Sequence, residues 1–325
     1  MRSFSTGAGV SVAVVRPMDL DDAAHLAAVR NAAEEVDGLG EFYDPEDCAE
    51  ELAHPDRDLE RDTLLVLDGD RPVAAQVLHV LGERLHVAAE VVPSHRGRGI
   101  GTSLLAVARR EAARRGLRAE VRTPEDKADS VALARDAGLV PLRWWSEMRR
   151  DLAGPVAPAP PPAGLELHAL GPGYDAARWD ERLRAAHNAA FADHFGSAHV
   201  SAASWVHDRT GSRHFRADCS VAATTADGAV AGYLLAYEFE ADTLATGVRD
   251  LYIATVGTVR EWRRRGLAGA LLAQALGAAA AVGFERSSLV VDTQNPTGAL
   301  GVYDRAGFAL HRRDVTYAAP AADGG

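Results

Sequence analysis

A segment rich in arginine and glycine occurs twice in the chain. It reads His95-Arg96-Gly97-Arg98-Gly99-Ile100-Gly101 in the first half and Trp262-Arg263-Arg264-Arg265-Gly266-Leu267-Ala268 in the second. Each copy follows an apolar run typical of a strand and opens a run typical of a helix. Main-chain N–H groups at a helix N-terminus, small residues and positive charge together favour a bound phosphate. The repeat therefore predicts a chain built twice around a site for a phosphorylated ligand.

The two segments differ from the common nucleotide loops. Neither ends in the Gly-Lys-Ser/Thr of a P-loop, and the alternating Gly97, Gly99 and Gly101 do not match the dinucleotide spacing. What remains is Arg-x-x-Gly-x-Gly/Ala before a helix, which resembles the acetyl-CoA pyrophosphate loop of the GNAT N-acetyltransferase superfamily. A strand-to-helix turn with solvated arginines is the alternative for a single copy, whereas two copies in the same setting favour a binding loop.

The elements that must position these loops follow the same order in both halves. Strands come first, and helices then alternate with strands, which predicts an α/β class with an α+β type mixed sheet. The order is similar to the GNAT fold, so the resemblance implies two GNAT-like acyl-CoA N-acyltransferase domains in tandem. We expect an N-terminal domain at 1–152, a Pro/Ala linker at 153–164 and a C-terminal domain at 165–325. The proline-rich linker favours extended geometry and acts as a semi-rigid spacer.

Composition narrows the class of partner. The net charge of −11 argues against non-specific binding to nucleic acid or to an anionic membrane surface. The two cysteines, Cys48 and Cys219, lie in different halves without metal-like spacing, so we expect free thiols, no metal and a cytoplasmic protein. The expected partner is a small-molecule amine, and the protein is expected to be a monomer or homodimer.

The resemblance implies acetyl-CoA as co-substrate, with the pantetheine arm lying along the strand before each loop and main-chain N–H groups polarising the thioester carbonyl. In the second half the implied cofactor contacts are Val256, Thr258, Arg263, Arg264, Arg265, Gly266, Leu267, Ala268 and Gly269. In the first half they are Val91, Arg96, Gly97, Arg98, Gly99 and Gly101.

A tyrosine distinguishes the halves. The segment from Asn295 to Phe308 resembles the family pattern Asn-x-x-(small)-x-x-x-Tyr-x-x-x-Gly-Phe. It implies that Asn295 binds the pantetheine and that Tyr303 donates a proton or hydrogen bond to the departing thiolate; a tyrosine that merely caps the core is the alternative. The first half has Ala134 in place of this tyrosine and no matching asparagine. We therefore expect the first half to be catalytically degenerate.

The general base is less defined by the sequence. Glu238 and Asp250 are predicted on a strand pair that faces the acceptor cleft, so each is a candidate catalytic base. Surface strands also carry carboxylates without catalytic roles, and a water chain could take the proton instead. In the first half, Glu90 is either a base or a solvated edge residue.

The resulting hypothesis is an N-acetyltransferase that transfers acetyl from acetyl-CoA to a primary amine of a small molecule or peptide by direct attack. One alternative is acetylation of a cysteinyl pseudo-disaccharide, because the tandem layout resembles the mycothiol synthase family. That family carries a carboxylate on the strand before its second loop, where this chain has Tyr252. The other alternative is a non-catalytic acyl-CoA sensor, which would not need Tyr303 or Asn295.

Overall fold

The computed structural model describes residues 14–193, 198–294 and 298–320. These residues form two compact units. The first contains the described residues up to Arg143 together with those from Asp314 onward, and the second is Trp144–Arg313. Each unit is a mixed sheet packed by helices, which confirms the predicted fold class.

The first unit has strands in the order β1-β2-β3-β4-β5, followed by the C-terminal part of β12. Its neighbours are antiparallel except for the parallel pair β4–β5. The strands are β1 Val14–Arg16, β2 Thr63–Asp68, β3 Arg71–Leu81, β4 Arg84–Val91 and β5 Arg118–Pro124. The helices are α1 Ala23–Asp37, α2 Pro45–Leu52, α3 Leu59–Asp62, α4 Ile100–Arg114 and α5 Ala128–Asp136.

The second unit has the strand order β6-β11-β10-β9-β8-β7, in which β10–β11 is the parallel pair. The strands are β6 Val140–Asp151, β7 Leu165–Ala169, β8 Val221–Thr225, β9 Val230–Tyr237, β10 Asp250–Thr258, β11 Arg286–Asp292 and β12 Ala309–Ala318. The helices are α6 Ala176–Phe191, α7 Ala202–Trp205, α8 Glu240–Thr246, α9 Leu267–Ala281 and α10 Ala299–Arg305. A π-helical turn spans Val206–Thr210.

Two strands belong to units that their sequence position does not suggest. β6 precedes the proline-rich linker, yet its residues from Trp145 to Asp151 pair with β11 of the second unit. β12 ends the described chain, and its residues from Asp314 to Ala318 pair with β5 of the first unit. Each unit therefore obtains a strand from the other half of the sequence.

Alternation along the strands gives the sheet of the second unit two distinct faces. One face packs on α9 and carries Leu251, Leu289 and Met148, and we call it the α9 face. The opposite face packs on α6 and carries Tyr233 and Leu235. We call this second surface the α6 face.

The cysteines and helices also bear on the class of protein. Cys48 and Cys219 are both buried and free, as the sequence predicts. Across the described ranges, no helix combines the length and apolar character needed to cross a bilayer. The same residues contain no group of three or more His, Cys, Asp or Glu side chains that could hold a metal ion.

A close contact on the α6 face yields a stability prediction. Tyr233 is fully buried, its hydroxyl lies 2.6 Å from Nδ1 of His187, and a Cβ on Gly257 would lie 2.4 Å from Cε1 of its ring. We expect Gly257→Ala to lower the free energy of unfolding by roughly 1–3 kcal/mol through overpacking. The control Gly277→Ala meets nothing within 4 Å inside α9 and should raise it by about 0.5–1 kcal/mol. Urea titration measures both, and equal effects of the two changes would contradict the packing argument.

Candidate functional site

The loop that follows β10 has an unusual backbone. A 3₁₀ turn at Arg260–Trp262 leads into Arg264 at φ +60° and Gly266 at φ +87°, after which α9 begins. In the first unit, Gly97 at φ +72° and Gly99 at φ +81° hold the equivalent left-handed positions before α4. Arg264 is the only non-glycine residue with positive φ in the described ranges, and such a conformation costs about 1 kcal/mol or more. The two loops thus share one conformation although their sequences differ.

This conformation leaves main-chain donors unpaired. In α9 the first helical hydrogen bond runs from Ala270 N–H to Gly266 O, and no side chain caps the helix. Within the described residues, the N–H groups of 264–269 have no hydrogen-bond partner, and the same holds for 97–102 before α4. The N-terminus of each helix therefore presents several free donors at the positive end of its dipole.

The first arginine of each loop ties the loop to a neighbouring helix and strand by hydrogen bonds, and we call this contact the arginine brace. Arg263 donates from Nε to Thr258 O (3.2 Å), from Nη2 to Ala190 O (2.7 Å) and from Nη1 to Asp193 (3.0 Å). The hydrogen bond from Arg263 lowers the pKa of the Asp193 carboxyl to about 2. This arginine ties the loop to the end of α6, so its guanidinium donors point into the protein rather than into the loop's opening.

In the first unit, Arg96 forms the equivalent arginine brace. Arg96 donates from Nε to Val91 O (3.0 Å) and through both terminal nitrogens to the carboxylate of Asp37 at the end of α1 (2.7 and 2.9 Å). Burial opposes ionisation of Asp37, yet the hydrogen bonds from Arg96 and Lys127 leave its pKa below the usual range. The arginines that remain at the loop surfaces are Arg98, Arg264 and Arg265, all exposed.

Strand β10 leaves its parallel neighbour halfway along. Its pairing with β11 ends at Ile253–Leu289, whereas β11 continues beside β6 to Asp292. Val259 N–H donates to Ala231 O on β9, and residues of an antiparallel strand alternate in the side they bond. Val256 and Thr258 therefore direct their N–H and C=O groups to the edge that β11 has left. In the first unit, the bond from Val92 N–H to Val73 O gives Val91 the same orientation.

A β-bulge is present in β10 of the second unit and absent from β4, its counterpart in the first unit. β10 has 9 residues and its pairing with β9 skips Ala254, while β4 has 8 residues and pairs with β3 without a shift. A bulge turns the local main chain and strengthens its twist. Only the second unit therefore has an irregular backbone at the point where the two parallel strands part.

Tyr303 lies on α10 close to this point. Its ring packs on the α9-face core and meets Phe308 edge to face at a centroid distance of 6.1 Å. Burial raises the pKa of Tyr303 to about 12, and the nearby Tyr252 adds to the shift. The phenol therefore keeps its proton throughout the neutral range. Asn295 lies outside the described residues.

Glu238 is held by two arginines. The residue is 8% exposed, and its carboxylate accepts from Arg216 and, at 2.6 and 3.1 Å, from Arg249. Both guanidinium groups stack on Phe284, at 5.2 and 4.2 Å from the ring centroid. Phe284 belongs to the α9-face core, so the carboxylate is directed away from Tyr252 on the other face. Arg216 also donates to the carboxylate of Asp218 at 3.0 and 2.8 Å, so the four side chains form an ion cluster.

Asp250 begins β10, roughly 13 Å along the strand from the bulge at Ala254. Its Oδ2 accepts from Arg286 Nε at 2.6 Å, and its Oδ1 is buried without a partner in the described part of the chain. Tyr303 and Val256 both pack on the α9-face core, and Tyr303 interacts electrostatically with Tyr252, whereas Asp250 lies at the end of β10 that is distant from the loop.

The chain matches a known protein family. The sequence pattern of the Acetyltransferase (GNAT) family matches residues 29–139 and again 181–308. The chain belongs to the GNAT family. It is a tandem N-acetyltransferase, with one GNAT match in each half.

Two relatives and one solved structure illustrate the likeness. The chain is 35% identical to a mycothiol acetyltransferase of Tsukamurella paurometabola over 243 residues, covering 71% of this chain and 77% of that protein. It is 30% identical to the Streptomyces avermitilis mycothiol acetyltransferase, covering 96% of each. A GCN5-related N-acetyltransferase from Sphaerobacter thermophilus superposes with a TM-score of 0.69 at 25% identity, covering 94% of this chain and 95% of that one.

The first GNAT unit lacks the tyrosine. Ala134 stands on α5 at the place that Tyr303 takes on α10, and it is 1% exposed. Glu90 has a buried carboxylate oxygen without a partner in the described residues, and burial raises its pKa. A carboxyl with a buried, unpaired oxygen differs from the solvated edge residue that the sequence allowed.

Sequence reasoning missed the polar side chains that β6 brings to the α6 face of the second GNAT unit. Register pairs Ser288 with Arg149 and Val290 with Glu147, so both β6 residues share a face with Tyr252. The signal was available: polar or aromatic residues at every second position of β6 mark one face of a strand. They are Trp145, Glu147, Arg149 and Asp151.

The ion cluster gives a prediction that separates structure from catalysis. Replacing Glu238 by Gln leaves the half-buried Arg249 without its carboxylate partner and Arg216 with Asp218 alone, so we expect the free energy of unfolding to fall by roughly 1–2 kcal/mol. Urea denaturation measures the loss, and turnover per folded molecule should persist. The control Glu240→Gln changes an exposed carboxylate on α8 and should be near neutral. Unchanged stability with abolished turnover in Glu238→Gln would instead make Glu238 the base.

Proposed function

We propose that the protein uses acetyl-CoA to acetylate a primary amine of a small molecule, and that the second GNAT unit performs the reaction. The observation that carries this proposal is the row of unpaired N–H groups at 264–269, which follows directly on an open strand edge. The diphosphate of CoA matches the loop because it needs several donors and a positive helix end.

The open edge of β10 supports the next step. A pantetheine arm carries two amides, and an unpaired strand edge offers donors and acceptors at matching intervals. Val256 supplies a donor and an acceptor and Thr258 supplies its N–H, since Thr258 O accepts from Arg263. The bulge at Ala254 redirects the main chain where the thioester would end. A main-chain N–H there would stabilise the oxyanion that forms when the amine attacks.

Tyr303 completes the chemistry. The unprotonated amine attacks the thioester carbon, the C–S bond breaks, and the nitrogen loses one proton to solvent water as the amide forms. The thiolate of CoA takes a proton from a neighbouring donor, which regains one from solvent. Because burial keeps Tyr303 neutral, its phenol can donate a proton or a strong hydrogen bond to the sulfur. Arg263 then acts as a positioning residue for the loop, whereas Arg264 and Arg265 supply charge at its mouth.

The first unit supports binding without turnover. It repeats the loop conformation, the free amides and the arginine brace, but it has no bulge in β4 and has Ala134 instead of a phenol. We infer that it can hold an anion at Gly97–Gly101 and does not catalyse acetyl transfer.

A second candidate acceptor is a cysteinyl pseudo-disaccharide. The names of the relatives favour it, since both are called mycothiol acetyltransferase. Tyr252 stands where a carboxylate is expected in that family, so we rank a different amine first.

Calorimetric titration with CoA tests the loop. We expect binding, and Arg265→Gln should weaken it by roughly threefold to tenfold, with the difference shrinking at high salt because the side chain is exposed. Arg178→Gln removes the same charge from an exposed position on α6 and is the control. The stoichiometry, one or two CoA per chain, reports on the first loop. If titration with CoA releases no heat, the proposal is contradicted.

Turnover tests the proton donor. Tyr303→Phe should lower kcat by about 100-fold while the affinity for CoA stays the same, because only the hydroxyl is removed. Tyr174→Phe is the matched control, since its hydroxyl is bound to Asp180 at 2.7 Å. Equal kcat in Tyr303→Phe and the parent protein would remove Tyr303 from the mechanism and favour a hydrogen-bond partner elsewhere.

A further inference from the structure

Three side chains lie side by side across the α6 face of the second unit. Tyr252 on β10 is paired with Ser288 on β11, which in turn is paired with Arg149 on β6. The Cα atoms of Tyr252 and Arg149 are therefore two strand spacings, about 10 Å, apart. One step further from the bulge, Asp250 lies beside Arg286 in the same alternation.

Two of these residues present unused guanidinium nitrogens. Arg149 donates Nε–H to Glu147 at 2.7 Å, and Arg286 donates Nε–H to Asp250 at 2.6 Å. In the described part of the chain, neither arginine has a hydrogen-bond partner for its terminal nitrogens. The side chains are 24% and 26% exposed, so these nitrogens are accessible.

The carboxylate beside Arg149 is shared. Glu147 accepts from Arg149 Nε and also pairs with Arg312 (3.0 Å), so it engages only part of the Arg149 guanidinium. Partial burial and the charge of Arg149 lower the pKa of His311. The charged groups that β10, β11, β6 and β12 contribute to this face are Asp250, Arg286, Asp292, Glu147, Arg149, Asp151 and Arg312. Of the acids, Asp250 and Glu147 are paired with arginines, and Asp151 accepts from Ala153 N–H.

The acceptor must reach the thioester from this face. On the other face, α9 and α10 pack against the core below β10 and β11. On the α6 face, α6 packs against β9 and β10 and leaves β11 and β6 with partly exposed side chains. An amine over Tyr252 would thus have the rest of its molecule above Ser288 and Arg149.

We propose that Arg149 and Arg286 bind an anionic group of the acceptor, a carboxylate or a phosphate, and that Arg149 determines this specificity. The proposal rests on the proposed acetyl transfer and names the substrate class of the same site: an amine that carries an anion several bonds away. A planar guanidinium with two free nitrogens matches either group through paired hydrogen bonds. A neutral polyhydroxy amine would leave this charge unused.

Matched acceptors test the class. Initial rates of CoA release are compared for 6-aminohexanoate against 6-aminohexanamide, and for glucosamine 6-phosphate against glucosamine. The anionic member of at least one pair should have a kcat/KM about tenfold higher or more, and the better pair tells carboxylate from phosphate. Equal values within both pairs would overturn the proposal while leaving acetyl transfer intact.

Variants test the residue. Arg149→Gln should raise KM for the anionic acceptor by roughly 10- to 100-fold, the range of a charge-assisted hydrogen bond, and leave the neutral acceptor and CoA affinity unchanged. Arg149→Lys should restore part of the preference, since it returns the charge without the fork. The control Arg313→Gln removes an exposed charge from the opposite side of β12 and should alter neither acceptor. An equal loss for anionic and neutral acceptors in Arg149→Gln would contradict the assignment.

Binding measurements distinguish the anion site from the acetyl-transfer reaction. If CoA binds but no amine in the panel is acetylated, calorimetry with 6-aminohexanoate and glucosamine 6-phosphate on CoA-saturated protein tests the anion site directly. Binding that Arg149→Gln abolishes supports the anion site even then, and absence of binding overturns it. If CoA itself does not bind, the proposed function fails first.

Discussion

The early separation of β10 from β11 is the constraint on which the site depends. While two parallel strands stay paired, their main-chain groups are satisfied by each other and cannot bind a ligand. Here the pairing stops at Ile253–Leu289, because β11 continues beside β6. The free edge from Ala254 to Thr258 points its donors and acceptors into the resulting gap, and the loop with its unpaired amides follows directly.

The loop itself stays open because other residues restrain it. Arg263 and Arg96 donate their guanidinium hydrogen bonds to the end of a neighbouring helix and to the strand before the loop. These bonds fix the loop to both elements. Its own N–H groups are then left for a ligand. Arg264 has a left-handed backbone conformation, which glycine would adopt without strain. Such strain is consistent with a binding loop.

Duplication followed by divergence is visible in a few residues. Both units have the brace, the loop and the parting of parallel strands, since β4 and β5 also pair only from Arg84 to His86. The second unit alone has the bulge and the phenol. The differences fall at the strand position where the thioester is proposed to react, while the shared features fall at the loop proposed to bind an anion. Acetyl transfer in one unit and retention of an anion site in the other fit this division.

Much of the architecture could be predicted from local patterns. The strand–loop–helix setting of each arginine segment, the free thiols and the mixed sheet follow from spacing and composition, and the structure confirms them. The likeness of the Tyr303 segment to the family pattern located a tyrosine that does lie on α10 near the end of the β10–β11 pairing. Its part in the reaction stays a prediction.

The sequence by itself determined which segments become helices, strands and the turns before α4 and α9, because these depend on residues close together in the chain. Only the tertiary structure decided which carboxylates are free and which strands meet. Glu238 and Asp250 look equivalent along the chain, yet one is enclosed by Arg216 and Arg249 and the other by Arg286. The pairing of β6 with β11, which brings Arg149 beside Tyr252, joins residues far apart in sequence. Such contacts are set by the packing of whole elements, and no local pattern encodes them.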